Sequence, residues 1–187
     1  GKLKDVLEGI EAARDAGFDP IKINTVVMRG INDDEVLDFA NMTYKECWHV
    51  RFIELMPFAS VADFVPSDEI RQRIMSLGSL EPCLPITGNG PARYYRLSGA
   101  KGTIGFISPI TEPFCSSCNR MRLTSYGQLC PCLLSDDGID LKGPLRSNVS
   151  MQEIRCLILK AIASKPEHHR LAEGIVPTKR NMSQIGG

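Results

Sequence analysis

The sequence has no excess of charge of one sign. Its 187 residues contain 22 Lys and Arg residues and 22 Asp and Glu residues, so the formal net charge is zero. This balance argues against a protein whose main partner is nucleic acid or an acidic membrane surface. The sequence also lacks internal repeats and low-complexity tracts. Hydrophobic residues make up 43% of it, which is enough to bury a core in one domain or in two small ones.

Long apolar runs are absent as well, so no segment is expected to span a membrane. Residues 1–4 do not have the composition of a secretory signal peptide. The seven cysteines are an odd number, and their spacing is unlike that of a small secreted protein held by disulfides. A Cys-x-x-Cys motif outside such a framework indicates metal or redox chemistry. We therefore expect a cytoplasmic protein.

The first 80 residues alternate between helix and strand patterns. The predicted elements are a helix over 2–16, a strand over 21–28, a helix capped by Asn32 that runs to about Cys47, a strand over 49–56 and a helix from Pro66 to about Leu77. This order is typical of βαβ units, whose strands form a parallel sheet. Two strands cannot form such a sheet alone, so we expect a fragment whose missing N-terminal part supplies further βα units.

The pattern changes after about residue 80. A hairpin is predicted from strands over 92–98 and 103–108, and a second hairpin lies in the cysteine-rich stretch that follows. A capping-box sequence, Ser-x-x-Glu, then opens a helix over 151–164. The sequence therefore predicts an α/β domain over residues 1–80 and a mostly antiparallel β region with a C-terminal helix over residues 81–187.

Four of the seven cysteines lie within residues 115–132. Cys115 and Cys118 form the Cys-x-x-Cys motif, whose spacing puts two sulfur atoms on one tight turn. Strands predicted over 121–124 and 128–134 form a hairpin around a Ser-Tyr-Gly turn. This hairpin returns the other two cysteines of the stretch towards the first pair.

The register of the hairpin pairs arginines with cysteines. Because side chains alternate along a strand, Arg122 is predicted opposite Cys130. Arg120 is predicted opposite Cys132, which is then nearer than Cys130 to Cys118. Three thiolates suit a soft metal or an iron–sulfur cluster, and paired arginines suit a phosphate or a carboxylate. The spacing alone favours zinc and an iron–sulfur cluster about equally, and a redox dithiol is a third interpretation.

Two predicted strands carry a cation among apolar residues. Lys22 lies near the start of the first strand, and Arg51 lies near the start of the second. A charge inside an apolar strand must face a polar cavity or find a partner. A long anionic ligand would explain both positions. Met56 ends the second strand, at the sheet edge where the active sites of α/β proteins usually lie.

Together these motifs resemble those of a known family. The matching residues are Lys22-Ile23-Asn24, Val27-Met28-Arg29-Gly30-Ile31-Asn32-Asp33, Arg51-Phe52-Ile53-Glu54-x-Met56, Phe114-Cys115-x-x-Cys118-Asn119-Arg120-x-Arg122-Leu123-Thr124, Gly127, Cys132 and Gly186-Gly187. The set resembles the C-terminal half of the GTP 3′,8-cyclases, which are radical S-adenosylmethionine enzymes of molybdenum cofactor biosynthesis. The resemblance covers essentially all of the chain.

The resemblance implies a fold and a reaction. The expected α/β fold consists of the last βα units of an incomplete (βα)6 TIM-like barrel, followed by an antiparallel β region that binds a cluster. The family are lyases that convert GTP to (8S)-3′,8-cyclo-7,8-dihydroguanosine 5′-triphosphate. A first [4Fe-4S] cluster cleaves S-adenosylmethionine to a radical, and a second binds GTP through an iron without a cysteine ligand. The product passes towards cyclic pyranopterin monophosphate synthase, and a homodimer is compatible with the family.

The resemblance also assigns roles to single residues. The ligands of the second cluster are matched by Cys115, Cys118 and Cys132. The residues that contact GTP are matched by Lys22, Arg51, Arg120 and Arg122. Met56 matches a residue beside S-adenosylmethionine, and Gly186 and Gly187 match a tail needed for catalysis. This ligand set favours the cluster over zinc.

Two features depart from the family pattern. No cysteine precedes Cys47, so the Cys-x-x-x-Cys-x-x-Cys motif of the first cluster is absent, and we expect this chain alone to be inactive. Cys130 is an extra thiol that competes with Cys132 as a candidate ligand. Two other hypotheses are an interaction domain stapled by zinc, without catalysis, and an auxiliary domain of a radical enzyme that acts on a peptide.

Overall fold

The computed structural model describes residues 2–56, 63–84, 90–173 and 175–177. The chain divides into two compact units. The first contains the described residues up to Glu112, and the second contains those from Pro113 onward. Among the described residues, each unit is built around one sheet.

The first unit follows the predicted order of helices and strands. Its elements are α1 (Leu3–Asp15), β1 (Lys22–Val27), α2 (Val36–Lys45), β2 (His49–Glu54), α3 (Ser67–Ile74), β3 (Leu80–Cys83), β4 (Arg93–Leu97) and β5 (Thr103–Ile107). A 3-10 turn over Met75–Leu77 extends α3. The sequence pattern missed β3, because Glu81 and Pro82 are residue types depleted in strands.

The start of α2 differs from the prediction. The Asn32 side chain does not cap this helix, since its oxygen accepts the Met28 N–H at 2.8 Å and its amide donates to the Val26 carbonyl at 3.0 Å. Asparagine side chains bond readily to nearby backbone, and such bonds compete with helix capping. Residues 32–35 therefore form a turn, and α2 begins at Val36.

The described strands of the first unit form a five-stranded mixed sheet in the order β1-β2-β5-β4-β3. Strands β1, β2 and β5 are parallel, and β4 and β3 are antiparallel to their neighbours. The predicted parallel pairing and the predicted β4–β5 hairpin are both confirmed. The predicted boundary at residue 80 lies before this hairpin, whereas its strands β4 and β5 both belong to the first sheet. The division of the chain at residue 80 into a barrel part and a cluster-binding part stays a prediction, as does the incomplete barrel.

The apolar face of this sheet packs against helices and forms the core. Its fully buried members come from strands β1, β2, β4 and β5, from helices α2 and α3, and from the segment before α3. They are Val27, Val36, Ala40, Val50, Phe52, Val65, Ile70, Ile74, Leu97, Ile104 and Phe106. Because side chains alternate along a strand, the residues between these positions point to the opposite face. Lys22 and Arg51 lie on that opposite face. Helix α1 contributes no buried residue to the core.

The second unit is smaller and mostly antiparallel. Its elements are β6 (Arg122–Leu123), β7 (Gln128–Cys130), β8 (Ile139–Asp140), α4 (Lys142–Arg146) and α5 (Met151–Ala163). The strands pair antiparallel in the order β6-β7-β8, and α5 packs against β7 and β8. The capping box of α5 is confirmed, since the Glu153 N–H donates to the Ser150 hydroxyl at 3.2 Å and the Ser150 N–H donates to the Glu153 carboxylate at 2.9 Å.

Candidate functional site

The first two cysteines lie on one tight turn, as their spacing predicts. Cys115–Ser117 form a 3-10 turn, which the Cys118 N–H closes by donating to the Cys115 carbonyl at 3.0 Å. The Ser117 N–H donates to the Phe114 carbonyl at 3.2 Å. Both cysteines are half-buried free thiols. The turn therefore fixes the backbone that presents both sulfur atoms.

The hairpin that follows has the predicted register but is shorter than predicted. Arg122 lies opposite Cys130, as expected. The predicted return strand is too long, because β7 ends at Cys130. Pro131 has no N–H to donate to the ladder, which ends the strand there. Cys132 therefore lies beyond the ladder, and strand pairing does not place Arg120 opposite it.

Cys130 and Cys132 have different surroundings. Cys130 is fully buried, and its thiol donates to the Gln128 carbonyl at 3.9 Å. Cys132 is half-buried, and its sulfur accepts the Leu134 N–H at 3.4 Å. The turn at Pro131 separates the two thiols, so only one of them lies within the β7 strand.

The Cys132 thiol lies within electrostatic reach of the first two cysteines. Burial raises the pKa of Cys132, while the hydrogen bond from the Leu134 N–H and the charge of Lys165 oppose that rise. Negative charge on Cys115 and on Cys118 raises this pKa further. Lys165 contacts both the Cys118 sulfur and the carbonyl of Pro131, the residue before Cys132, so the two cysteine-bearing segments lie close together in the second unit.

Cys118 lies beside a fixed positive charge. Burial would raise the pKa of Cys118, but the Arg120 backbone N–H, the Lys165 ammonium and the Arg120 guanidinium together hold it below its ordinary value. The Lys165 Nζ lies 3.6 Å from the Cys118 sulfur. It also donates to the carbonyls of Arg120 and Pro131, both at 2.8 Å. A lowered pKa favours the thiolate, which is the form that binds metals.

The chemistry of these donors fits an iron–sulfur cluster, which cysteine thiolates hold. In the part of the chain that the structure describes, no three His, Cys, Asp or Glu side chains form a group that could bind a single metal ion. A cluster of several irons keeps its cysteine ligands further apart than one ion does. Cys115, Cys118 and Cys132 are the residues that would hold such a cluster.

A cavity of about 250 Å³ lies in the second unit, with Cys132 in its wall. Its polar lining contains both carboxylates and basic side chains, among them Asp136, His168 and Arg170. Arg170 is paired with the Glu173 carboxylate at 2.6 Å. The cavity leaves room for a ligand next to Cys132.

The two arginines of the motif are held in different ways. The Arg120 guanidinium lies 5.6 Å from the centroid of the Phe114 ring, a distance typical of a cation–π contact. This contact, together with the lowering of the Cys118 pKa by the Arg120 charge, places Arg120 at the cysteine turn. Arg122 is positioned by strand pairing on β6. Both side chains are half-buried.

In the first unit, Lys22 and Arg51 lie on the same face of the sheet, on adjacent parallel strands. Lys22 is level with His49, and Asn24 is level with Arg51. Register partners on neighbouring strands point to the same side, so these four side chains share the face opposite the core. The Arg51 Nε donates to the Asn24 side-chain oxygen at 2.7 Å. The face is therefore positively charged, as an anionic ligand would require.

Gly105 on β5 leaves space for the Arg51 side chain. It is the register partner of Arg51, and a Cβ at this position would lie 3.0 Å from the Arg51 Cγ and 3.1 Å from the Tyr94 Cε1. Arg51 and Tyr94 therefore approach each other over the Gly105 backbone. No motif in the sequence points to Gly105 or Tyr94, and Asn24 belongs only to a motif that matches the family.

Two further charged residues were missed. Glu54, at the end of β2, is fully buried and accepts hydrogen bonds at 3.0 Å from the N–H groups of Ser67, Ile110 and Thr111. The sequence does contain a signal for Glu54, because a carboxylate at the end of an apolar strand is unusual. Lys165 had no such signal, because it follows α5 in a polar segment.

Met56 lies just beyond the carboxyl end of β2 and is half-buried, in the predicted place. Its contact with S-adenosylmethionine stays a prediction. Gly186 and Gly187 lie outside the described residues. None of the helices within the described ranges is long and apolar enough to cross a bilayer.

Comparison with known proteins identifies the family. The sequence model of the Molybdenum Cofactor Synthesis C family matches residues 48–171, which contain β2 to β8, α3 to α5 and all four cysteines of the site. The chain belongs to this family.

The resemblance to the GTP 3′,8-cyclases is also confirmed. Proteins of that name from Pelotomaculum thermopropionicum, Moorella thermoacetica and Desulforamulus reducens are 49%, 46% and 47% identical to this chain, over 193, 191 and 193 aligned residues. Each alignment covers 100% of this chain and 59% of the relative. The chain thus spans about three-fifths of the length of these relatives and corresponds to their C-terminal portion.

Proposed function

We propose that this chain is the cluster- and substrate-binding portion of a cytoplasmic GTP 3′,8-cyclase, a lyase that converts GTP to (8S)-3′,8-cyclo-7,8-dihydroguanosine 5′-triphosphate. The observation that carries the proposal is 46–49% identity along the whole chain to proteins of that name. The grouping of three thiols and a nearby arginine in the second unit supports it. The incomplete barrel is part of the same proposal.

The three cysteines are proposed as ligands of a [4Fe-4S] cluster that, when bound, offers one iron without a cysteine ligand to the guanine base. The lowered pKa of Cys118 favours its thiolate, the form that binds metal. Burial of Cys130 and its bond to the Gln128 carbonyl favour Cys132 as the third ligand. Arg120 and Arg122 would orient GTP through charge-assisted hydrogen bonds.

On the first unit, Lys22 and Arg51 would bind the negative charge of the nucleotide. The Asn24 side chain fixes the Arg51 guanidinium by accepting from its Nε, which leaves the two terminal nitrogens to donate to an anion. Gly105 leaves room for this side chain over the sheet. The two cations lie early in their strands, so the ligand would extend along the sheet face.

The radical step is not assigned to the residues of this chain, whose sequence contains no Cys-x-x-x-Cys-x-x-Cys motif. In the complete enzyme, the first cluster and S-adenosylmethionine would supply the radical, with Met56 beside S-adenosylmethionine. Gly186 and Gly187 would complete the active site. The product would pass towards cyclic pyranopterin monophosphate synthase.

Anaerobic reconstitution of the chain with iron and sulfide tests the cluster. About four irons and four sulfides per chain are expected, with an electron paramagnetic resonance spectrum that shifts when GTP is added. A colourless protein that takes up one zinc, no iron and shows no response to GTP would instead establish the zinc-stapled domain. Binding of peptides with exposed carboxylates but not of GTP would favour the auxiliary domain of a peptide-modifying enzyme.

Substitution of the arginines tests the nucleotide site. Arg120→Ala and Arg122→Ala should each remove a charge-assisted contact of about 1.5–3 kcal/mol, which weakens GTP binding roughly 10- to 150-fold. Arg155→Ala, at an exposed position of α5, is the matched control and should bind GTP like the wild type. Titration of reconstituted protein with GTP measures this, and unchanged affinity in both variants would reject the assignment.

The choice between the two neighbouring thiols has its own test. Cys132→Ser should abolish assembly of a complete cluster, whereas Cys130→Ser should assemble the cluster normally. Iron and sulfide content after reconstitution decides the matter. The reverse pattern would move the third ligand to Cys130.

A further inference from the structure

Lys165 carries a half-buried positive charge shortly after the end of α5. An ammonium group has three N–H donors and no acceptor. The partners of this one are the Cys118 sulfur at 3.6 Å and the carbonyls of Arg120 and Pro131 at 2.8 Å. The ion pairs found among the described residues do not include Lys165. Its charge is therefore directed at the cysteine site and not at a carboxylate.

The partners of Lys165 come from both parts of the cysteine site. Cys118 and the Arg120 carbonyl belong to the segment that continues from the Cys-x-x-Cys turn. The Pro131 carbonyl belongs to the turn that ends β7 and immediately precedes Cys132. One side chain thus joins two backbone segments that each present cysteine thiols, at the point where neither is held by strand pairing.

We propose that Lys165 is a positioning residue for the iron–sulfur cluster, which fixes the two cysteine-bearing segments relative to each other and supplies positive charge beside a ligand sulfur. This inference rests on the proposed function. Groups that bond to metal ligands orient them and tune the metal. The potential of an iron–sulfur cluster depends on net charge and on hydrogen bonds to its sulfur atoms.

A purely structural role for Lys165 predicts something different. If the side chain only anchored the end of α5, its loss would weaken the fold and leave the reduction potential of any assembled cluster unchanged. A charge beside Cys118, in contrast, stabilises the reduced and more negative state of the cluster. Its removal should therefore make the potential more negative, whatever it does to stability.

The test uses three Lys165 variants, one control variant and the wild type, all reconstituted anaerobically. Lys165→Met removes charge and hydrogen bonds, Lys165→Arg keeps the charge and donors, and Lys165→Gln keeps a donor without charge. Lys160→Met, at an exposed position near the end of the same helix, is the matched control. Iron loss to a chelator, the reduction potential and the circular dichroism of the metal-free protein are measured for each.

We expect Lys165→Met to lose iron about 10- to 100-fold faster than the wild type and to have a more negative potential. Lys165→Gln should also have a more negative potential than the wild type. This variant keeps the test available if Lys165→Met fails to fold. Lys165→Arg should restore a potential near that of the wild type, and Lys160→Met should change nothing.

Three results would overturn the inference. Equal potentials in the wild type, Lys165→Gln and Lys165→Arg would leave Lys165 as a structural anchor only. A wild-type protein that assembles a cluster, with the same iron retention in Lys165→Met as in Lys160→Met, would reject the positioning role and leave the proposed function intact. A wild-type protein that takes up no cluster would reject both.

Discussion

Individual charged side chains are held in place by fixed polar partners in both units. Arg51 donates to Asn24, Lys165 donates to two carbonyls, and the Glu54 carboxylate accepts backbone N–H groups. Burial of a charge without such partners would cost several kcal/mol. These partners offset the cost of holding the three charges in buried or partly buried positions.

His49 gives a prediction about pH. Burial, and then the charge of Lys22, lower the pKa of His49, with Arg96 and Arg51 adding to the effect and Asp19 opposing it. The folded state therefore binds this proton less readily than the unfolded state. The contribution of His49 to the free energy of unfolding is therefore complete above the ordinary histidine pKa of about 6.5. It is lost as the pH falls towards the lowered pKa of the folded state.

Urea unfolding at about pH 7.5 and about pH 5.5, on either side of the ordinary histidine pKa, measures the effect. The wild type should lose more stability on acidification than His49→Gln, because the variant lacks the group that protonates on unfolding. His168→Gln, at an exposed position, should behave like the wild type. The same pH dependence in His49→Gln and in the wild type would refute the assignment.

Glu54 gives a prediction about stability. One carboxylate oxygen accepts from Ser67 N–H and the Thr111 hydroxyl, and the other accepts from Ile110 and Thr111 N–H. In Glu54→Gln the amide NH₂ can take the place of the oxygen that faces Ser67 and the Thr111 hydroxyl, because that hydroxyl can rotate and accept from it, whereas the Ser67 N–H loses its acceptor. Chemical denaturation should therefore give a loss of about 1–3 kcal/mol. Glu81→Gln, the same change at an exposed site, should have little effect.

At the scale of the element, the β6–β7 hairpin determines where Cys130 and Cys132 lie. The Gly127 N–H closes its turn by donating to the Thr124 carbonyl at 3.0 Å, and the Gln128 N–H donates to the Thr124 hydroxyl at 3.0 Å. Gly127 has φ of 87°, and a Cβ there would lie 2.5 Å from the Lys142 Cβ. The turn thus requires glycine both for its conformation and for its contact with α4.

Gly127→Ala should therefore destabilise the second unit by about 2–4 kcal/mol, from left-handed backbone strain together with overpacking. Cluster assembly should fall with it, because the turn sets the approach of β7 and of the cysteine that follows. Ser125→Ala, at an exposed position of the same turn, is the control and should assemble the cluster normally. Wild-type stability in Gly127→Ala would contradict this account of the turn.

At the scale of the molecule, the chain has two units that are stabilised by different means. The first has a large apolar core between a five-stranded sheet and its helices. The described part of the second has three short strands and few fully buried large side chains. A small domain of this kind gains much from a bound metal group, because binding energy to the folded state adds to its stability.

Cluster assembly should therefore protect the second unit and leave the first almost unchanged. Amide hydrogen exchange of metal-free and reconstituted chain would measure this. Protection should increase in β6 and β7, by about 2.7 kcal/mol if the effective ligand concentration is a hundred times Kd. The β2 and β5 strands serve as the internal reference. An equal increase in both units, or none in the second, would be inconsistent with a cluster held by the second unit alone.

The sequence predicted most helices and strands because their periodic patterns are local. The α1, β1, β2 and α3 segments, the β4–β5 hairpin and the cap of α5 all follow from such patterns. Elements that depend on tertiary contacts were missed or misjudged. β3 forms because β4 offers an edge to pair with, and β7 ends early because Pro131 interrupts the ladder.

The sequence by itself determined the family, the residue types of the site and the register of Arg122 with Cys130. The sequence favoured Cys132 over Cys130 as the companion of Cys115 and Cys118 through a predicted strand register and through the family resemblance, and β7 ends too early to carry that register. The tertiary structure gives the two thiols different surroundings, since Cys130 is fully buried and the chain turns at Pro131. Lys165 joined the site only through folding, since the contact spans 47 residues from Cys118. Chemical identity is encoded locally, whereas proximity between distant residues exists only once the core and sheets have formed.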